Sequence, residues 1–226
     1  MGHISKLFLA VLLAFPSIAW SADRLNVYPI DTCAVAKKNE LGSMGKPIVK
    51  EIEGREFRLC CKGCNRRLEN NTAKIAESVD QRIAEQQKKT YPMTTCIVSG
   101  EPLAEDAVDV VVQNTLIRVC CKNCAGKVKA RPAPYLKKLD QMVVGLQGKN
   151  YPLTTCAVSG EPLEEGETID LIVGNRLIRV CCKGCVKGVK KDPAAVLKAV
   201  EAGWAAKKGS SKEKKPKGAT TQPKKG

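Results

Sequence analysis

Twelve cysteines carry the chemistry open to this chain of 226 residues, and they fall into three groups of four. In each group a lone cysteine is followed, after an intervening segment, by a Cys-Cys-x-x-Cys cluster. The four members of the groups are Cys33, Cys60, Cys61 and Cys64, then Cys96, Cys120, Cys121 and Cys124, then Cys156, Cys181, Cys182 and Cys185. Cysteines grouped in this way either bind a metal ion or form disulfides.

The spacing inside each cluster bears on that choice. Cys60 and Cys61 do not readily pair with each other, because a disulfide needs Cα atoms about 4.4–6.8 Å apart and trans neighbours lie about 3.8 Å apart. Cys61 and Cys64 have the spacing of a zinc knuckle, and Gly63 between them tolerates the sharp turn. The lone cysteine would complete such a site, but two disulfides per group from the other pairings stay open.

The only histidine is His3, which lies in a predicted signal peptide. A metal site in the mature chain would therefore be all sulfur, which suits zinc or copper(I), with one ion per group of cysteines. Without histidine, Ser-His and Cys-His catalysis are excluded. No glycine-rich phosphate loop follows a predicted strand either. We therefore expect that the protein is not an enzyme.

The two ends of the chain differ from its middle. Lys6, an apolar run over 7–20 and a small residue at Ala19 predict a cleaved signal peptide over residues 1–21. This predicts export to the periplasm or the extracellular space. Residues 207–226 are rich in lysine and lack large apolar side chains, so we expect a disordered tail that can contact anionic surfaces. This tail holds much of the formal net charge of +15.

The middle of the chain is a threefold repeat. A Tyr-Pro dipeptide precedes each lone cysteine at a fixed distance, at Tyr28, Tyr91 and Tyr151. The repeat predicts three modules over residues 22–90, 91–150 and 151–206, and we call them modules 1, 2 and 3. Modules 2 and 3 are close copies, whereas module 1 has a different, lysine-containing loop after its lone cysteine.

Each module has the same predicted elements. Two β-prone runs flank a turn signal, at Gly54 in module 1, Asn114 in module 2 and Gly174 in module 3, which predicts a β-hairpin whose second strand ends at the cluster. A helical pattern follows each cluster, broken by proline in modules 2 and 3 into a short turn and a longer helix. The predicted fold class is small α+β, with three tandem modules. Domains of this size usually need a metal or disulfides.

These motifs resemble the YHS and TRASH group of small cysteine domains. The matching positions are Cys33, Cys60 and Cys64, then Cys96, Cys120 and Cys124, then Cys156, Cys181 and Cys185, and the run from Lys191 to Leu197 is similar to that family's entry into its helix. The resemblance implies a treble-clef or zinc-finger-like fold, heavy-metal binding and a link to metal handling. It implies three sulfur ligands per ion; the extra cysteine of each cluster makes a four-sulfur set the alternative.

The predicted function is that of an exported protein that holds zinc or copper in three all-cysteine sites, for buffering, sensing or delivery. Its predicted partners are metal ions and a metal-handling or envelope protein. The alternative is a structural or interaction protein whose modules are stapled by permanent zinc or disulfides. A thiol-disulfide role for the C-x-x-C motifs is weaker, because no thioredoxin-like alternation of strands and helices surrounds them. Predicted export and the scarcity of aromatic residues, 4% of the chain, argue against nucleic acid.

Overall fold

A computed structural model of the chain describes residues 22–213 as a small mixed α+β structure. The predicted hairpins are all present, one per module, in antiparallel register. The described strands are β1 (Asp23–Leu25), β2 (Ile48–Ile52), β3 (Arg55–Leu59), β4 (Val108–Val112), β5 (Thr115–Val119), β6 (Ile169–Val173) and β7 (Arg176–Val180). Strands β2 to β7 agree with the sequence prediction to within one residue, because a clear turn signal separates the two β-prone runs of each hairpin.

The hairpin turns use the residues that the sequence indicated. Glu53 and Gly54 have φ values of 51° and 71°, and Gln113 and Asn114 have φ values of 48° and 59°. Positive φ at both central residues is the signature of a type I′ turn, whose twist matches that of the flanking strands. Asparagine and glycine tolerate this conformation, which explains their presence at the tips.

Each cluster is followed by two helices rather than by a turn and one helix. The pairs are α1 (Lys62–Asn70) and α2 (Thr72–Lys88), α3 (Lys122–Ala130) and α4 (Pro132–Gln147), and α5 (Lys183–Lys191) and α6 (Pro193–Glu213). The short turn predicted in modules 2 and 3 is thus a helix of nine residues, and module 1 has a helix of the same length at this place. Module 1 has no proline at the break; there the chain bends at Asn71, whose φ is −141°.

The end of α6 differs from the prediction for the tail. This helix runs to Glu213, so residues 207–213 are helical where disorder was expected. Alanine and lysine at positions 205–208 are strong helix formers, and extending an existing helix needs no new nucleus. The predicted signal peptide and residues 214–226 lie outside the described residues. Within residues 22–213, no helix is both long enough and apolar enough to cross a membrane.

Strand β1 is an element that the sequence did not indicate. It pairs in parallel with β6, so residues at the start of module 1 extend the sheet of module 3 in the order β1-β6-β7. Arg24 on β1 also donates hydrogen bonds to Asp140 at 2.9 Å and to Thr115 at 2.6 Å, both in module 2. The strand therefore connects all three modules.

The long helices link each module to the next one. Helix α2 of module 1 packs on β4 and β5 of module 2, and α4 of module 2 packs on β7 of module 3. The described residues form three apolar cores, and the core of module 2 also takes in Ile172 and Leu177 from module 3. The modules are therefore interlocked and are not structurally independent units.

A buried glutamine makes hydrogen bonds across each of these two contacts between modules, which we call the glutamine junctions. Gln87 at the end of α2 donates to the carbonyl oxygen of Asn114 at 3.0 Å and accepts from the backbone N–H of Leu116 at 2.8 Å. Gln147 at the end of α4 makes the same pair of bonds with Asn175 at 2.9 Å and Leu177 at 3.0 Å. Each glutamine thus fixes the hairpin of the following module through groups that burial would otherwise leave unsatisfied.

The contact between modules 1 and 3 uses an arginine instead. Arg58 on β3 is 5% exposed, and its guanidinium donates to the carbonyl oxygens of Lys191 at 2.6 Å and Lys190 at 2.5 Å. These carbonyls end α5, and a cation is favourable at a helix C-terminus. Arg58 also pairs with Glu56 at 2.7 Å. Module 1 therefore contacts both of the other modules.

Candidate metal centre

Nine of the twelve predicted site residues come together in three triads. In each triad the three Sγ atoms lie within 4.8 Å of one another. The triads are Cys33, Cys60 and Cys64; Cys96, Cys120 and Cys124; and Cys156, Cys181 and Cys185. The structure therefore places three cysteine clusters that can each hold a metal ion, one per module, formed by the three positions that the resemblance implies.

Three local elements position each triad. The lone cysteine begins a tight loop, in which the backbone N–H of Cys96 donates to the carbonyl oxygen of Glu101 at 2.7 Å. The first cysteine of the cluster directly follows the second hairpin strand, and the last lies in the first turn of the following helix. Loop, strand end and helix start thus converge on one point. Modules 1 and 3 are built in the same way.

The repeated tyrosine helps to fix this arrangement. In modules 2 and 3 the hydroxyl of Tyr91 accepts the backbone N–H of Arg118, and the hydroxyl of Tyr151 accepts that of Arg179, each at 3.0 Å. Each bond ties the segment before the lone cysteine to the strand that ends at the cluster. In module 1 the Tyr28 hydroxyl donates instead to the carbonyl oxygen of Thr32 at 3.0 Å, one residue before the lone cysteine.

The second cysteine of each cluster lies outside the triad. Cys61, Cys121 and Cys182 are the N-cap residues of α1, α3 and α5 and have extended backbone conformations. Cys61 is half-buried and the other two are exposed. Their thiols still lie against the last triad cysteine, at an Sγ–Sγ distance of 3.7 Å for Cys61 and Cys64 and of 3.7 Å for Cys182 and Cys185.

The lone cysteines of modules 2 and 3 are held as thiolates. Burial on its own would raise the pKa of Cys96, but the hydroxyl and backbone N–H of Ser99 and the amide of Cys120 outweigh it and lower the pKa to about 6. Burial and Ser159 act in the same way on Cys156, whose pKa is also lowered to about 6. The thiolate is the form that binds metal, so these two cysteines are ready ligands near neutral pH.

The last cysteine of each triad keeps its proton more firmly. Burial raises the pKa of Cys64, of Cys124 and of Cys185, the last to about 12. For Cys120 the Ser99 hydroxyl lowers the pKa, but burial and neighbouring acidic groups raise it to about 12. In module 2 one thiolate therefore sits beside two thiols, and a cation that enters would have to displace their protons.

Polar residues that the sequence analysis missed border the clusters. The Ser99 hydroxyl lies 3.4 Å from Sγ of Cys120, and the Ser159 hydroxyl lies 3.4 Å from Sγ of Cys181. In module 1 the Asn39 side-chain amide takes this place, 3.6 Å from Sγ of Cys60. The Val-Ser-Gly-Glu-Pro run shared by modules 2 and 3 was the available signal for the serines. No such repeat marked Asn39.

The donor set fits a soft metal ion. All twelve cysteines are free thiols, and the close Sγ–Sγ pairs within the clusters, such as Cys60 and Cys64 at 3.8 Å, are far longer than a disulfide bond of about 2.05 Å. Three convergent sulfurs in a largely apolar pocket suit zinc or copper(I), and a fourth sulfur lies next to each group.

The three triads differ in burial. All three cysteines of the module 1 triad are buried, whereas Cys120 and Cys181 in the other modules are only partly buried.

Searches of protein families, of curated proteins and of solved structures find no match to this chain.

Proposed function

We propose that this is an exported, non-catalytic protein that binds soft metal ions in three all-cysteine sites, one ion per module, for buffering, sensing or delivery. The observation that carries the proposal is the threefold recurrence of a triad whose Sγ atoms lie within 4.8 Å of one another. Three copies of one set of cysteine ligands are expected in a protein whose function depends on how many metal ions it binds. Metal ions and a metal-handling or envelope protein are the proposed partners.

The local structure supports a treble-clef-like site of the YHS and TRASH kind. A tight loop with a lone cysteine, a hairpin and the first turn of a helix supply the ligands, which is the arrangement that the resemblance implies. The position of Cys61, Cys121 and Cys182 outside the triads favours three-sulfur ligation with an exchangeable fourth sulfur. Such a site suits an ion that is passed on.

A structural role is the second candidate, and burial of the lone cysteines favours it. Cys33, Cys96 and Cys156 are 0%, 1% and 2% exposed and belong to the apolar cores of their modules. Permanent zinc in such sites would staple small cores together.

The test is a native mass spectrum of the exported, unreduced protein, repeated after acid denaturation. The proposed function predicts three metal ions per chain in the native spectrum, absent in acid, with the mass of a fully reduced chain. Incubation with a chelator then separates the two candidates, because a trafficking protein releases its ions within minutes and a zinc-stapled one does not. A metal-free mass lowered by two hydrogens per cysteine pair would overturn metal binding.

A further inference from the structure

The loop after the lone cysteine has different chemistry in module 1. The backbone N–H of Cys33 donates to the carbonyl oxygen of Asn39 at 2.8 Å, as those of Cys96 and Cys156 donate to Glu101 and Glu161, each at 2.7 Å. Asn39 therefore occupies the structural position of the two glutamates. A neutral amide replaces a carboxylate beside the triad.

The same loop carries an exposed thioether. Sδ of Met44 lies 3.8 Å from the Asn39 side-chain nitrogen, and that nitrogen lies 3.6 Å from Sγ of Cys60. A single amide group thus separates the methionine sulfur from the triad. Met44 is also 62% exposed, so its flexible side chain is not committed to any core.

Two glycines hold this methionine on the surface. Gly42 and Gly45 flank Met44 and have φ values of 96° and 101°, a region that other residues rarely adopt. An exposed methionine in a loop shaped by two such glycines serves no packing role. Its position beside a thiol cluster is consistent with a ligand role.

Ligand softness distinguishes the sites. Thioether and thiolate sulfurs select copper(I), whereas carboxylate oxygen is a poor ligand for copper(I) and a good one for zinc. Module 1 offers Met44 and no carboxylate at the loop position, and modules 2 and 3 offer Glu101 and Glu161. In module 2 the carboxylate also lies near the triad, since the Ser99 hydroxyl is 3.3 Å from Glu101 and 3.4 Å from Cys120.

We propose that module 1 is a copper(I)-selective site in which the Met44 thioether supplements Cys33, Cys60 and Cys64, whereas modules 2 and 3 prefer zinc. This inference rests on the proposed function, because it assigns different ions to sites already taken to bind metal. Under this proposal the three modules differ in the metal ion that they prefer, and module 1 is the first to bind copper(I).

The test uses the full, reduced chain with its methionine methyl groups labelled with ¹³C, titrated anaerobically with copper(I) and separately with Zn²⁺. One equivalent of copper(I) is expected to shift the methyl resonance of Met44 and to leave those of Met93 and Met142 in place. Zn²⁺ is expected to leave the Met44 resonance unchanged. Competition with a copper(I) chelator should show that Met44→Leu weakens the first equivalent about 10-fold.

Met142→Leu is the matched control, since Met142 is also partly exposed, at 37%, but lies on α4 of module 2. It should bind copper(I) like the wild type. Copper(I) binding with an unshifted Met44 resonance and an unaffected Met44→Leu variant would overturn the inference and leave the proposed function standing. A wild-type chain that binds neither ion in reduced form would overturn both.

Discussion

Module 1 and modules 2 and 3 contain the same three sulfur donors in different surroundings. In module 1 the triad is fully buried, and an amide and an exposed thioether lie beside it. In modules 2 and 3 the first cysteine of the cluster is partly exposed, and a serine hydroxyl lies against it. The donors depend on a strand end and a helix start, whereas the surroundings depend on one loop, which can differ without disturbing the fold.

The modules also differ in how they are supported. The hairpins of modules 2 and 3 each receive the long helix and the buried glutamine of the preceding module. Within residues 22–213 the hairpin of module 1 receives no such helix, and Arg58 connects module 1 to the end of α5. The interfaces are therefore of two kinds, and each can be disrupted separately.

The largest effect is expected from loss of a triad cysteine. Cys124→Ser should remove the proposed ion of module 2 and destabilise the protein by more than about 4 kcal/mol, because a metal bound by the triad would hold the loop, strand and helix together. Cys121→Ser is the matched control, since Cys121 is exposed and lies outside the triad. Native mass spectrometry and denaturant unfolding measure both effects. If Cys121→Ser also loses the ion, the site needs four sulfurs.

The interlocked structure extends this prediction beyond module 2. Helix α2 packs on the hairpin of module 2, and α4 packs on that of module 3. We therefore expect faster hydrogen exchange in both neighbours of the Cys124→Ser variant. Protection that is lost in residues 91–150 alone would show that the modules fold independently.

The next largest effect is expected at the glutamine junctions. Gln87→Leu leaves the carbonyl of Asn114 and the N–H of Leu116 without their partners, and we expect a loss of about 3 kcal/mol in unfolding free energy. Gln147→Leu should cost a similar amount at the junction of modules 2 and 3. The neighbouring exposed Gln86, changed to leucine, is the control and should be nearly neutral. Equal stabilities of the Gln86 and Gln87 variants would contradict the role of the junction.

Much of this fold follows from local sequence patterns. Six strands, the three turns and the helix starts were predicted, because alternation, positive-φ residues and the Cys-Cys-x-x-Cys spacing are local signals. The convergence of Cys33 with Cys60 and Cys64 was also predicted through the resemblance. Strand β1 was missed, because three residues with two charges carry no strand signal.

Other features depend on contacts between distant parts of the chain. In the sequence, Gln87 is an ordinary polar residue of a helix. Its role becomes visible only when the hairpin of module 2 is placed against it. The role of Asn39 is visible only from its distance to Cys60, and that of Met44 only from its distance to Asn39. The expected disorder from residue 207 was placed too early, because helix propagation from α6 extends the order to Glu213.

A smaller effect is expected at the arginine that connects modules 1 and 3. Arg58→Ala removes hydrogen bonds to the last carbonyls of α5 and leaves Glu56 with its other partners, so we expect a loss of about 2 kcal/mol. Arg118→Ala tests the equivalent position of module 2, where the side chain pairs with Asp109 of its own hairpin. This pair is more exposed and should contribute less than about 1 kcal/mol. Thermal unfolding that ranks the two variants in the opposite order would contradict the bridging role of Arg58.

The smallest effect is expected from the serine that distinguishes module 2 from module 1. The pKa of Cys96 is lowered to about 6, so its thiolate favours the folded state at alkaline pH, and this contribution fades as the pH falls through about 6. Ser99→Ala removes one donor, raises the pKa and should shift acid-driven zinc release from module 2 upwards by about one pH unit.

Module 1 already has Ala36 where module 2 has Ser99, and Ala36 offers Sγ of Cys33 its backbone N–H, at 3.4 Å, but no hydroxyl. The reverse change, Ala36→Ser, should therefore move metal release from module 1 to lower pH. Chromophoric indicators, one for copper(I) released by module 1 and one for zinc released by module 2, are followed through a pH titration and measure the two shifts. Opposite shifts in the two variants would assign the difference between the modules to this hydroxyl, whereas unchanged release in both would show that this hydroxyl does not set the pH of metal release.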